Sequence, residues 1–271
     1  MKKLASLALT LVLMLTACTA FAQITVTKKD LNVNRGLSSD VTNILVLLQD
    51  ENVTDTMMIA SINSKTGRAV MTRLEEALVV PVINGGFEAE LKDVYNLGDK
   101  KSKGLLAAAT VNQLLSLNIN TYVALDMTML PELVSVIGTL SMNVTDAEAA
   151  AIGVQAGNAA LTGEQTLAFV RLALEGDSPA RSRGYETLMQ LLKQGLKSGS
   201  VGDLMGLGTK LLKSMDTNLN VLNAVTLVSA VQAGSDRREL VLPAAEHITT
   251  AEPLTADEET MRAVLYATLY E

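Results

Sequence analysis

Two periodicities divide the chain. Residues 44–48 (ILVLL) form an uninterrupted apolar run, which predicts a strand buried on both faces. The polar turn 49–52 follows, and residues 56–62 (TMMIASI) predict a second strand. Asn63-Ser64-Lys65-Thr66-Gly67 reads as a hairpin turn that brings residues 68–73 back as a third strand. Shorter strands are expected at 79–83, 121–125, 140–144 and 239–242.

Between them the spacing changes to that of helices. Residues 91–96 read as a short helix or loop, and 102–116 as a helix with Leu105, Leu106, Ala109, Val111 and Leu114 on its apolar side. Residues 129–138 are helical, with Pro131 in the first turn, where its missing N–H is harmless. Thr145 with Glu148 and Thr162 with Gln165 are capping boxes. The second opens a helix ending near Arg171, followed by a polar loop 176–184 and a further helix from Tyr185. Helices are also expected at 204–213, 219–231 and 255–270, the last with Thr255 and Glu258 as its capping pair.

Strands alternate with helices, and no linker rich in Pro, Gly or Ser splits the 271 residues. That predicts one α/β domain, a central mixed β-sheet flanked by helices in α-β-α layers, over residues 41–271. Residues 23–40 are polar and mixed and read as a tether. Residues 1–22 read as a targeting segment. Lys2 and Lys3 precede an apolar stretch, 4–15, too short to span a bilayer. Two processing sites compete. Leu15-Thr16-Ala17-Cys18 resembles a lipobox, which would leave Cys18 lipidated and the domain anchored to a membrane surface. Ala20-Phe21-Ala22 resembles a signal peptidase I site, which would release the chain from Gln23. Either places the domain outside the cytoplasmic membrane. Cys18 is the sole cysteine, so no disulfide within the chain is available.

Composition narrows the chemistry. The apolar fraction of 48 % is ample for a core, and the net charge of −7 gives no basic field for nucleic acid. His247 is the only histidine, in a polar C-terminal stretch, which makes a zinc hydrolase or a histidine-based triad a poor fit; it reads as a surface residue. The methionines read as core filler, although a lipid-sized cavity would use the same residues. Two groups remain. Asp50 and Asp55 bracket a short loop between predicted core strands, either as a plain polar turn or as oxygen ligands for Mg2+. Arg171, Arg181 and Arg183 gather at a helix–loop–helix junction, either as a solvated charged loop or as guanidinium forks for a phosphate.

The ordered series of motifs resembles the LytR-CpsA-Psr family of bacterial cell-envelope polymer ligases. The resemblance is carried by residues 43–48 with Asp50, by 54–63 (TDTMMIASIN), by LKDVYNLG ending at Gly98, and by 117–126 (LNINTYVALD). Residues 161–171 (LTGEQTLAFVR) carry most of it, being similar to the family's L-x-G-x-x-A-L-x-Y-x-R; Asp177, Arg183 and Thr217-Asn218-Leu219 follow. The resemblance implies an α-β-α domain on the outer face of the membrane. Such a domain holds a polyprenyl-pyrophosphate-linked glycan in an apolar groove and transfers the glycan phosphate to peptidoglycan. It implies Asp50 and Asp55 as Mg2+ ligands, with Arg171 and Arg183, joined by Arg181, neutralising phosphate charge.

Several positions depart from the family pattern. Val53 stands where an arginine precedes the S-D-T motif, and the P-R-D motif falls on Glu75-Glu76-Ala77, with Arg73 displaced by a gap. Ala173 replaces the second arginine of R-x-R, Gly184 the glutamine of R-Q, and Ala180 or Arg181 the arginine before it. Each lost charged hydrogen bond removes roughly 1.5–3 kcal/mol from an anion clamp. The pattern is therefore compatible with an active ligase, with a member that binds lipid-linked glycan without turnover, or with an envelope scaffold.

Overall fold

A computed structural model describes residues 23–31, 34, 36–50, 53–176, 178–198, 215–219 and 236–271. The expected helices at 204–213 and 219–231, the targeting segment with Cys18, and Asp177 lie outside these described residues.

The centre is a six-stranded mixed sheet of order β10-β3-β2-β1-β6-β9. Its strands are β1 (Val41–Asp50), β2 (Val53–Asn63), β3 (Arg68–Leu74), β6 (Thr121–Asp126), β9 (Asp216–Thr217) and β10 (Asp236–Leu242). β1, β2 and β3 form the antiparallel meander read from the sequence, with Leu45 opposite Ile59 and Leu47 opposite Met57. β6 and β10 extend it in parallel to β1 and β3 respectively. Both faces of β1 are buried. Leu45 and Leu47 point to one side and Ile44 and Leu48 to the other, as an all-apolar run requires.

One face is covered by α1 (Leu91–Leu97), α2 (Lys103–Leu115) and α7 (Glu258–Tyr270). The second core gathers Leu48 with side chains of α3 (Leu130–Ile137), α5 (Gly163–Leu174), α6 (Ser178–Ser198) and the hairpin β7 (Leu140–Val144)–β8 (Gly157–Leu161). α4 (Asp146–Ile152) crosses from β7 to β8 and adds Ala149 to that core. The hairpin β4 (Val79–Pro81)–β5 (Glu88–Glu90) and the pair β11 (Ile248–Thr250)–β12 (Thr255–Ala256) lie outside the main sheet. Among the described residues no helix is long and apolar enough to cross a membrane.

Three expectations are corrected. The stretch 23–40 is part of the fold: Ile24, Val26 and Leu31 are buried, Ile24 N–H donates to the Leu97 carbonyl at 3.0 Å, and Asn112 donates to the Leu31 carbonyl at 2.9 Å. Three apolar side chains spaced through a polar segment join it to the core that α1 and α2 cover. His247 is buried, with Nδ1 accepting the Ala244 N–H at 3.1 Å. The closing helix is capped by Asp257, which accepts from the Thr260 N–H at 2.7 Å, because Thr255 is taken by strand β12.

Candidate functional site

The motif helix α5 begins as the sequence predicts. Thr162 N–H donates to Gln165 Oε1 at 3.0 Å, and Gln165 N–H donates to Thr162 Oγ1 at 3.4 Å, closing both halves of the box. The glycine between them has a steric reason. A Cβ on Gly163 would lie 2.4 Å from Pro131 Cα and 2.6 Å from the Pro131 carbonyl oxygen, so α5 starts against the backbone of α3. Phe169 and Val170 anchor the last turns in the second core, which leaves Arg171 on the open side. A cation in the last turn of a helix also faces the negative end of its dipole.

Arg171 grips Asp50 with both prongs. Nε and Nη2 donate to Oδ2 and Oδ1, each at 2.6 Å, across 121 residues of sequence. Asp55 sits close by because β2 is irregular there. Thr56 faces Leu48 and Thr54 faces Gln49, so Asp55 is the extra residue of a β-bulge, a device that turns a side chain out of the regular alternation. Burial pushes its carboxyl up to about 6. The nearby charges of Asp50, Glu76 and Glu175 act in the same direction, and Arg171 opposes them. Asp50, Asp55 and Arg171 are thus brought together as anticipated.

Arg181 reaches the same cluster from elsewhere than expected. The loop 176–184 is largely helix, since α6 starts at Ser178 with Pro179 in its first turn. From that turn Arg181 donates to the Gly176 carbonyl at 3.1 Å and pairs with Glu76 at 2.6 Å. Arg183 is not brought to the cluster. It forks onto Glu148 at 2.7 and 2.9 Å, donates to the Asn143 carbonyl at 2.6 Å, and lies 5.6 Å from the Phe169 ring centre. Glu148 is itself the capping residue of α4, held by the Thr145 N–H at 2.8 Å. Burial would raise its carboxyl, but the bonds from Arg183 and Thr145 outweigh that and leave it lowered. Arg183 therefore ties α6 to α4. Arg183→Ala is expected to cost about 1–2 kcal/mol of stability, read as a lower denaturant midpoint, and to leave anion binding at the Asp55 cluster within about twofold of wild type.

Sequence reasoning missed Glu76 and Tyr185 as members. Tyr185 OH meets Glu76 Oε2 at 3.3 Å; burial and the Glu76 charge push its phenol up to about 12. A signal existed, because Tyr185 lies four residues after Arg181 on one face of a helix. The departures Ala173 and Gly184 meet each other. A Cβ on Gly184 would stand 3.2 Å from Ala173 Cβ and 3.1 Å from Leu174 Cδ2, so α5 and α6 pack closely where the pattern expects long polar side chains.

Among the described residues no group of three or more histidine, cysteine, aspartate or glutamate side chains is arranged to hold a metal ion. The two-carboxylate set is nonetheless of the right chemistry for a hard cation. Asp50 keeps two of its roughly four acceptor sites outside the Arg171 fork, and Asp55 sits in an excess of negative charge.

The family model for LytR_cpsA_psr matches residues 13–266. The chain belongs to the LytR_cpsA_psr family. It is 27 % identical over 190 residues to biofilm regulatory protein A of Streptococcus mutans, covering 63 % of this chain and 46 % of that one. It is 26 % identical over 176 residues to the polyisoprenyl-teichoic acid–peptidoglycan teichoic acid transferase TagU of Bacillus mycoides, covering 63 % and 56 %. The chain thus spans about half the length of these relatives. The crystal structure of Bacillus subtilis TagT superposes with a TM-score of 0.69 at 17 % identity, covering 91 % of this chain and 99 % of that one. A TagT structure with bound octaprenyl pyrophosphate gives 0.65 at the same identity and coverage. At such identities the likeness is one of fold, and the mixed sheet flanked by helices is the family's fold.

Proposed function

We propose that this family member acts outside the cytoplasmic membrane on a polyprenyl-pyrophosphate-linked glycan and transfers the glycan phosphate to peptidoglycan. The observation that carries the reading is the Asp50–Arg171 fork, 121 residues apart in sequence, standing beside the bulged Asp55. The names of TagU and of lipid-bound TagT support the substrate class. Asp55 and the outer lone pairs of Asp50 would hold Mg2+, which would supply neutralisation of pyrophosphate charge. Arg171 and Arg181 orient the phosphate and take up charge as it develops. A muramic acid hydroxyl attacks the phosphorus that carries the glycan, the bond from that phosphorus to polyprenyl phosphate breaks, and polyprenyl phosphate leaves with the hydroxyl's proton. The anchor, if Cys18 is lipidated, would keep the domain near its lipid substrate.

A second reading is supported by Ala173, Gly184 and Glu76, which leave the cluster poorer in cations than the motif pattern: the domain binds the lipid-linked glycan without turning it over. One experiment separates the two. The purified chain is given a polyprenyl-pyrophosphate-linked glycan and a peptidoglycan fragment, with and without Mg2+. Mg2+-dependent release of polyprenyl phosphate, reduced at least ~100-fold in Arg171→Ala, is the expected result. Tight binding with no release favours the second reading, and absence of binding in both conditions rejects both.

A further inference from the structure

Glu76 lies in the turn after β3, at the middle position of the ungapped P-R-D register, and several contacts fix it. One carboxylate oxygen takes the Arg181 Nη1 bond at 2.6 Å, and the other meets Tyr185 OH at 3.3 Å. Arg181 is held from a second side by the Gly176 carbonyl, where a Cβ would come within 2.5 Å of Ala180 Cβ. The Tyr185 ring is covered by the Arg73 guanidinium, 4.2 Å from the ring centre, and Arg73 pairs with Glu75 at 3.0 Å. The Glu76 side chain is 14 % exposed against 40 % for Arg181, so the anchor is enclosed while the guanidinium reaches solvent.

Two effects of this carboxylate oppose each other. Its charge repels an anion, but through a partly solvated path that ions screen. Its hydrogen bond fixes a planar fork that would otherwise sample many rotamers, and a fork pointing away contributes nothing to a bound phosphate. We propose that Glu76 is a positioning residue. It holds Arg181, with Tyr185 and Arg73 as the brace, as a second anion-binding arginine complementing Arg171. Glu76 is a carboxylate at the place where the ungapped motif pattern has an arginine, and it restores a cation to the site by orienting one from α6. The inference rests on the polyprenyl-pyrophosphate reading above.

The sign of one substitution tests it. Geranylgeranyl pyrophosphate with Mg2+ is titrated into the purified chain by calorimetry, for wild type, Glu76→Gln, Arg181→Ala and the double variant, with thermal melting of each. Positioning predicts that Glu76→Gln weakens binding about tenfold, as Arg181→Ala does, and that the double variant is no worse than either alone. Arg181→Lys, which keeps the charge but loses the fork, is expected to recover only part of the loss. Tighter or unchanged binding in a folded Glu76→Gln overturns the proposal and leaves the substrate reading standing. Additive losses in the double variant overturn it too. If Glu76→Gln fails to melt cooperatively, Tyr185→Phe replaces it and is expected to weaken binding about threefold; unchanged binding there is equally fatal. A wild-type chain that takes up no ligand rejects the proposal together with the substrate reading.

Discussion

Asp55→Asn is expected to make the protein more stable at neutral pH and inactive. The folded-state carboxyl is raised to about 6 from an ordinary value of 3.8. Between those values the folded chain binds the proton more strongly than the unfolded one. The native state is therefore favoured by the protonated group at low pH, and that advantage is lost as pH rises through about 6. Above that, the ionised group is a standing cost. Asparagine has the same shape and no charge, so it removes the cost. Half-exposure and screening reduce the gain to about 1 kcal/mol at pH 7.5. Melting curves should show a higher transition for the variant at pH 7.5, converging with wild type near pH 4. A variant no more stable than wild type at pH 7.5 would contradict the assignment of Asp55 as a strained carboxylate. The loss of turnover in the same variant follows from the proposed Mg2+ role. Stability and activity moving in opposite directions at one residue distinguishes a working group from a structural one.

The second large effect is expected at Gly163. Alanine there would place a methyl group 2.4 Å from Pro131 Cα and 2.6 Å from its carbonyl oxygen, and backbone cannot swing aside as a side chain can. Helix α5 or α3 must shift, at a cost of about 2–3 kcal/mol. For a chain of this size that lowers the melting temperature by roughly 5–10 °C. Because α5 carries Arg171, the Asp50 fork should loosen as well, read as weaker anion binding even at temperatures where the variant remains folded. An unchanged melting temperature would mean that the close approach to Pro131 is relieved at little cost.

Local physics was legible in the sequence wherever it was local. The apolar run of β1, the meander turn at residues 63–67 and the two capping boxes at Thr145 and Thr162 are each decided within a few residues, and each stands where the sequence puts it. Strand β8 was not legible: Gly157-Asn158-Ala159-Ala160-Leu161 lacks β-branched residues and is a strand because β7 pairs with it. The start of α6 was obscured by three charged residues that resemble a loop, although Ser178-Pro179 opens a helix. At the site, Asp50, Asp55 and Arg171 were recognisable as motif pieces. Glu76 was not, because its meaning depends on Arg181, 105 residues later, and nothing in the turn around it announces a distant arginine. Arg183 looked equivalent to its neighbours in sequence, yet helical geometry turns it toward Glu148.

The contact between Ala173 and Gly184 has a consequence for how this chain could change. A long side chain at either position alone would press against the opposite helix, since a Cβ on Gly184 already stands 3.2 Å from Ala173 Cβ. Enlarging either residue requires its neighbour across the contact to give by a few tenths of an ångström, and enlarging both requires the two helices to move apart. The two positions are therefore coupled, and what one can hold depends on what stands at the other. Glu76 and Arg181 lie outside that contact, so substitutions there change the charge of the site without crowding the two helices.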